Sequence, residues 1–205
     1  MGKGETKRPR EKLPFAEEVY SMLHDLVWIL TVVTIVFVFL IRIVGVDGSS
    51  MYPTLEDHDY LFLRSNGVDS TYRQGDIVVL TVPSFDEHPI VKRVIATEGQ
   101  TVDIDFYAGT VYVDGQRLDE PYIFEPTFLN YSSGLTYPAT VPEGCIFVMG
   151  DNRNNSTDSR YAPIGMVDTR YVMGTVFFRI FPGQNTDAHG NLTGGRDMSR
   201  IGTVK

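Results

Sequence analysis

A chain of 205 residues suits one domain of ordinary size with a short attachment. Its single cysteine, Cys145, excludes an internal disulfide scaffold, and the apolar run around it reads as a buried structural position. The net charge of −8 is uneven: residues 43–205 hold 12 of the 18 basic and 21 of the 26 acidic residues, a net of −9, so the domain lacks the basic footprint that nucleic acid requires.

In chain order, residues 1–25 come first as a cytoplasmic segment. Lys3, Lys7, Arg8, Arg10 and Lys12 offset Glu5, Glu11, Glu17, Glu18 and Asp25. Residues 26–41 then carry no charge, proline or glycine, and the apolar run resumes after Arg42 as far as Val46. The 21 residues 26–46 can cross a bilayer core of ~30 Å at ~1.5 Å per residue, so they predict one transmembrane helix. Arg42 near one end can snorkel to the headgroups, and Trp28 near the other suits an aromatic belt. The stretch is too long for a cleaved signal sequence, and no Ala-x-Ala site follows it. The five basic residues upstream predict a cytoplasmic N-terminus, which places everything after residue 46 on the outer face.

Past residue 46 the pattern changes to short strands. Residues 60–63, 77–80, 90–95, 101–106, 110–113, 145–149 and 171–181 are rich in β-branched and aromatic side chains, with glycine, proline and asparagine clusters between them. Asp114-Gly115 predicts a tight hairpin turn. Residues 124–142 read as a long irregular excursion, and residues 184–205 as a loose, polar, glycine-rich tail. The expected fold is therefore mostly β: an antiparallel β-sheet domain over residues 47–183 with one N-terminal transmembrane helix.

Three blocks carry the chemistry. Residues 48–54 read Gly-Ser-Ser-Met-Tyr-Pro-Thr. Pro53 stiffens the turn that follows Ser50, and Gly48 lets the backbone approach a bound peptide. A serine hydroxyl needs a base to become a nucleophile. Lys92 follows Pro89-Ile90-Val91, and on a strand it shares a face with Ile90 and Val94. An amine in apolar surroundings loses hydration, which lowers its pKa and favours the neutral form. Residues 150–160, Gly-Asp-Asn-Arg-Asn-Asn-Ser-Thr-Asp-Ser-Arg, follow an apolar strand at once. There Ser156 could hold the amine, while Asp151, Asp158, Arg153 and Arg160 offer ion pairs. The two carboxylates are spaced wrongly for a calcium loop. Of His24, His58, His88 and His189, only His58, in Asp57-His58-Asp59, lies near Ser50 in sequence as a rival base, and its polar neighbours read as a solvated surface.

These blocks, with Gly-Asp-Ile-Val at 75–78 and Lys-Arg at 92–93 in the same order, resemble the bacterial type I signal peptidases, the Ser-Lys class of peptidase S26. The resemblance covers the anchor and most of residues 45–181. It implies Ser50 as nucleophile, Lys92 as general base and Ser156 as the hydroxyl that orients Lys92. It also implies Asp151 with Arg93, and Asp158 with Arg160, as structural ion pairs, and neither a metal nor a cofactor. Gly48 stands where Gram-negative members place a serine, so the resemblance is to the Gram-positive-like form, and the oxyanion donors would be backbone N–H groups, including that of Ser50. It implies a substrate wall of Val46, Gly48, Met51, Leu55, Ile90 and Val91 that reads small side chains, as in Ala-x-Ala. The substrates would be secretory preproteins delivered by the translocation machinery to a single-pass enzyme in the lipid of the cytoplasmic membrane. The alternative is a non-catalytic signal-peptidase-like protein that assists assembly of surface polymers. A self-cleaving Ser-Lys repressor would need a DNA-binding domain and no anchor.

Overall fold

The computed structural model describes residues 15–65, 71–83, 85–131 and 135–204. The five basic residues on which the orientation argument rests lie outside that range. Helix α1 (Phe15–Ile35) continues through a π turn at Val36–Leu40. Glu17 and Glu18 sit in its first turn, where carboxylates complement the helix dipole. The Thr31 and Thr34 hydroxyls donate back to the carbonyls of Val27 and Leu30 at 2.8 and 2.7 Å, which satisfies them without water. Phe15–Val38 is long and apolar enough to cross a membrane, and none of it is buried within the protein.

The expected span of 26–46 needs correction at both ends. The helix begins eleven residues earlier, and residues 41–45 form strand β1 (Ile41–Gly45) rather than its last turns. Hydropathy cannot tell an apolar helix end from an apolar strand. Here Ile41, Ile43 and Val44 find a partner strand, and Arg42 lies opposite Leu63 on it.

The remaining strands are β2 (Tyr60–Ser65), β3 (Ile77–Val82), β4 (Asp86–Thr97), β5 (Thr101–Asp105), β6 (Thr110–Val113), β7 (Gln116–Arg117), β8 (Ala139–Thr140), β9 (Cys145–Met149), β10 (Val167–Asp168), β11 (Val172–Phe181), β12 (Gln184–Thr186), β13 (Leu192–Arg196) and β14 (Gly202–Thr203). A large antiparallel sheet runs β1-β2-β11-β3-β4-β9-β10, with β14 paired to the far half of β11. A smaller sheet runs β7-β6-β5-β8. The β6–β7 hairpin turns at Asp114-Gly115, both at positive φ (52° and 75°), the geometry that this dipeptide favours. The described part of 124–142 carries only the two-residue β8.

Strand alternation sorts the core. Val78, Leu80, Val94, Ile146, Val148 and Val172 bury on one face of the large sheet. Leu61, Leu63, Ile77, Val79, Val91 and Val176 bury on the other, with Val46, Met51 and Leu55 from the β1–β2 connection packed on them. Phe147, Met149, Ile95 and Ala96 pack against Val102, Ile104, Val111 and Val113 of the smaller sheet.

The tail is ordered, contrary to its composition. β12 and β13 form a hairpin, and β14 closes onto β11. Long-range charge holds it: Arg200 meets Glu56 at 2.7 Å and Asp59 at 3.4 Å, beside the pair that Arg179 of β11 makes with Asp59 at 3.1 Å. The tail belongs to the same compact unit as the β domain, which begins at residue 39.

Candidate active site

Ser50 sits in the connection between β1 and β2. Val46 closes that connection at its base, donating to the Asp59 carbonyl at 2.8 Å and accepting from the His58 N–H at 2.9 Å. Gly48 has φ 86°, a conformation that suits glycine, and donates its N–H to Asp57 Oδ1 at 2.9 Å. Met51 and Leu55, 1% and 0% exposed, anchor the turn in the core. Ser50 is thus presented half-buried on a turn held at both ends.

Lys92 comes from the middle of β4, opposite Val78 of β3. It is 3% exposed on a strand face whose other residues are Ile90 and Val94. Its Nζ lies 2.8 Å from Ser50 Oγ and 2.9 Å from the Val91 carbonyl. Burial lowers its pKa from 10.5 to about 8 against the raising fields of Asp158 and Asp151, with Arg160 adding to the drop. A neutral amine in contact with a serine hydroxyl is a competent base.

The 150–160 segment leaves β9 and supplies the charges around this pair. Arg93, next to Lys92 but on the opposite face, forks onto Asp151 with Nε–Oδ1 at 2.8 Å and Nη2–Oδ2 at 2.7 Å. Tyr122 stacks 3.9 Å from its guanidinium carbon, and Thr54 Oγ1 donates to Asp151 at 2.5 Å. Arg160 forks onto Asp158 at 2.8 Å through both Nε and Nη2, and the Gly150 N–H donates to the same carboxylate at 2.9 Å. Burial by itself would raise the Asp158 carboxyl; the charge and hydrogen bonds of Arg160, the Gly150 N–H and Lys92 outweigh it and hold Asp158 below the usual range. Arg153, fully buried, pairs with Glu120 at 2.5 Å and donates to Thr127 Oγ1 at 3.0 Å. Buried ions this completely paired fix a loop in one arrangement, because losing one partner strands the other.

The predicted residues therefore divide. Ser50, Lys92, Asp151, Arg93, Asp158 and Arg160 converge. Ser156 is 4% exposed and close to Ser50: a Cβ on Gly150 would collide with both Ser156 Oγ and the Ser50 carbonyl oxygen. The expected bond from Lys92 to Ser156 is not formed, however; the Ser156 hydroxyl is buried without a hydrogen-bond partner among the described residues. The predicted substrate wall is split by the sheet. Val46, Met51, Leu55 and Val91 pack together on one face, whereas Ile90 packs on the face that carries Lys92. Neighbouring residues of one strand point to opposite faces, so Ile90 and Val91 cannot belong to one wall by their side chains. The His58 side chain is 70% exposed and 3.5 Å from Asp57, whereas the Ser50 hydroxyl meets Lys92. Sequence reasoning missed Glu120, Thr127 and Tyr122, which act through long-range contacts that carry no local pattern, and Asn152. For Asn152 a signal was available in its place within the 150–160 block.

The family-wide pattern for signal peptidase, peptidase S26, matches residues 19–181, which include all three blocks. "Probable signal peptidase I-1" of Synechocystis sp. is 39% identical over 156 residues, 72% of this chain and 75% of that protein. "Signal peptidase I T" of Bacillus subtilis (strain 168) is 39% identical over 143 residues, 67% of this chain and 72% of that protein. A crystal structure of a signal peptidase I from Enterococcus faecalis V583 is 30% identical, covers 51% of this chain and 96% of its own, and superposes with a TM-score of 0.43. With a serine and a buried amine in contact at the centre of the matched region, the chain belongs to the signal peptidase family, peptidase S26, and is a serine peptidase.

Proposed function

We propose that this peptidase removes N-terminal signal peptides from secretory preproteins, cutting after small residues of the Ala-x-Ala kind, with Ser50 as nucleophile and Lys92 as general base. The observation that carries the reading is the 2.8 Å contact between Ser50 Oγ and a lysine amine whose pKa burial brings to about 8. Neutral Lys92 takes the hydroxyl proton as Oγ attacks the scissile carbonyl. The ammonium that forms is stabilised by the fields of Asp158 and Asp151, then gives its proton to the leaving amine as the peptide bond breaks. Lys92, neutral again, deprotonates the water that hydrolyses the acyl-enzyme. On this reading the Ser50 N–H, which makes no hydrogen bond among the described residues, donates to the developing oxyanion. Ser156 is the group to hold the amine when it turns away from Oγ, since its buried hydroxyl has hydrogen-bonding capacity to spare.

The substrates on this reading are preproteins handed over by the translocation machinery. The apolar helix holds the enzyme in the lipid of the cytoplasmic membrane, with the β domain on the outer face and the basic N-terminus inside. The non-catalytic alternative has no use for a nucleophile and base in contact. The test is to incubate the detergent-solubilised full chain with a preprotein and sequence the new N-terminus. Cleavage after Ala-x-Ala that vanishes in Ser50→Ala and Lys92→Met but persists in His58→Ala is the expected result. Cleavage that survives Lys92→Met and is lost in His58→Ala would overturn the base assignment.

A further inference from the structure

Asn152 is the feature of the site that the mechanism above does not use. It is 1% exposed, and every N–H it possesses is spent on one task. Its backbone N–H donates to the Ser50 carbonyl at 3.0 Å. Its side-chain amide donates to the Ser49 carbonyl at 3.0 Å and to the Ala188 carbonyl at 2.6 Å. The Ala188 carbonyl also accepts from Asn155 Nδ2 at 3.0 Å, and the same amide reaches Ser49 Oγ at 3.1 Å. Ala188, 8% exposed, lies in the turn between β12 and β13, beyond the residues that the family pattern matches.

The Ser49 carbonyl belongs to the peptide unit whose N–H is that of Ser50. A trans peptide is planar, so its C=O and N–H point in opposite directions. A donor that fixes the Ser49 oxygen therefore aims the Ser50 N–H, which is left without a partner on the other side. The second bond, to the Ser50 oxygen, fixes the next peptide plane. Asn152 thus holds both planes that flank the Ser50 Cα, the first together with the Tyr52 N–H, which donates to the Ser49 carbonyl at 3.1 Å, and with them the direction of the Cα–Cβ bond that carries Oγ.

We infer that Asn152, anchored by the Ala188 carbonyl of the C-terminal hairpin, is a positioning residue that aims the Ser50 N–H and hydroxyl, which makes residues 184–204 a working part of the active site. The inference rests on the reading of Ser50 as nucleophile. Its energetics are those of alignment: misplacing an oxyanion donor forfeits part of the ~10²–10³-fold that such a donor supplies. The loss should fall on kcat, because the Ser50 N–H meets its charge only in the transition state.

The experiment compares the parent with Asn152→Ala, with a chain ending at Gly183, and with both changes together. Each is titrated with a serine-directed acylating probe, so that turnover is counted per reactive Ser50, and its melting temperature is measured. Asn152→Ala should lower kcat per titrated site by about 10–100-fold. KM should stay within about threefold, and the acidic limb of the pH profile should stay in place, since Lys92 is untouched. The shortened chain should lose a similar factor, and the double variant little more than either, because both changes break one linkage. If the shortened chain melts early, Arg200→Gln takes its place; it keeps Ala188 in the chain but removes the ion pairs to Glu56 and Asp59 that hold the tail, so it should loosen the Ala188 anchor and lower kcat by a smaller factor. Turnover per titrated Ser50 within twofold of the parent in Asn152→Ala would overturn the inference, whatever happened to stability. So would fully multiplicative losses in the double variant. A Ser50→Ala enzyme that still cleaved would remove the nucleophile reading itself, an outcome read from a separate protein.

Discussion

Lowering the pH should switch this peptidase off through Lys92. The amine's pKa is about 8 in the folded chain against 10.5 for an exposed lysine, and only the neutral form can accept the Ser50 proton. With a pKa of about 8, the neutral fraction is about one tenth at pH 7 and about one hundredth at pH 6. The logarithm of kcat/KM should therefore fall with unit slope below pH 8 and level off above it. The assay is cleavage of a soluble peptide that carries the Ala-x-Ala sequence, in detergent, from pH 5.5 to 9.5 at fixed ionic strength. The same shift sets a stability window. Between about pH 8 and 10.5 the unfolded chain binds the Lys92 proton and the folded chain does not, so stability rises with pH across that interval. Below pH 8 the charged, buried amine costs about 3 kcal/mol relative to an exposed one, from 1.36 kcal/mol per pH unit. Lys92→Met removes that cost, so at pH 7 the inactive variant should melt several degrees above the parent. A rate that is flat from pH 8 to pH 6, or a Lys92→Met protein that is less stable at pH 7 than at pH 10 relative to the parent, would refute the argument.

Three further outcomes follow from the packing. Arg160→Met leaves Asp158 buried without its guanidinium and should destabilise the domain by about 3–5 kcal/mol in urea unfolding. Gly150→Ala should lower activity by at least about tenfold, since the new methyl collides with Ser156 Oγ and the Ser50 carbonyl and must push the two loops apart; crystallography or chemical shifts of Ser50 would report that displacement. The two sides of the split wall should behave differently. Ile90→Ala, on the Lys92 face, should admit a larger residue just before the cut in a peptide library, whereas Leu55→Ala should cost about 2–5 kcal/mol of stability with specificity unchanged.

Much of this was legible in the sequence because it is local. β-Branched and apolar content in 77–80 and 90–95 announced strands, and Asp114-Gly115 announced its hairpin, since both depend on backbone dihedral preference within a few residues. Ser50, Lys92 and the 150–160 block announced their chemistry by residue type, and the placement of Lys92 among Ile90 and Val94 already implied a desolvated amine. Tertiary structure decided the rest. The end of the helix was settled not by hydropathy but by the pairing of residues 41–45 with β2. The tail, polar and rich in glycine, is ordered by Arg200 and the Ala188 carbonyl, whose partners lie more than 30 residues away in every case. The contact between Ser50 and Lys92 spans 42 residues and exists because β3 and β4 carry the amine to the β1–β2 turn. Local sequence specifies what a residue can do; which groups meet is set by long-range packing and ion pairing, whose energies depend on burial that only the assembled sheet provides.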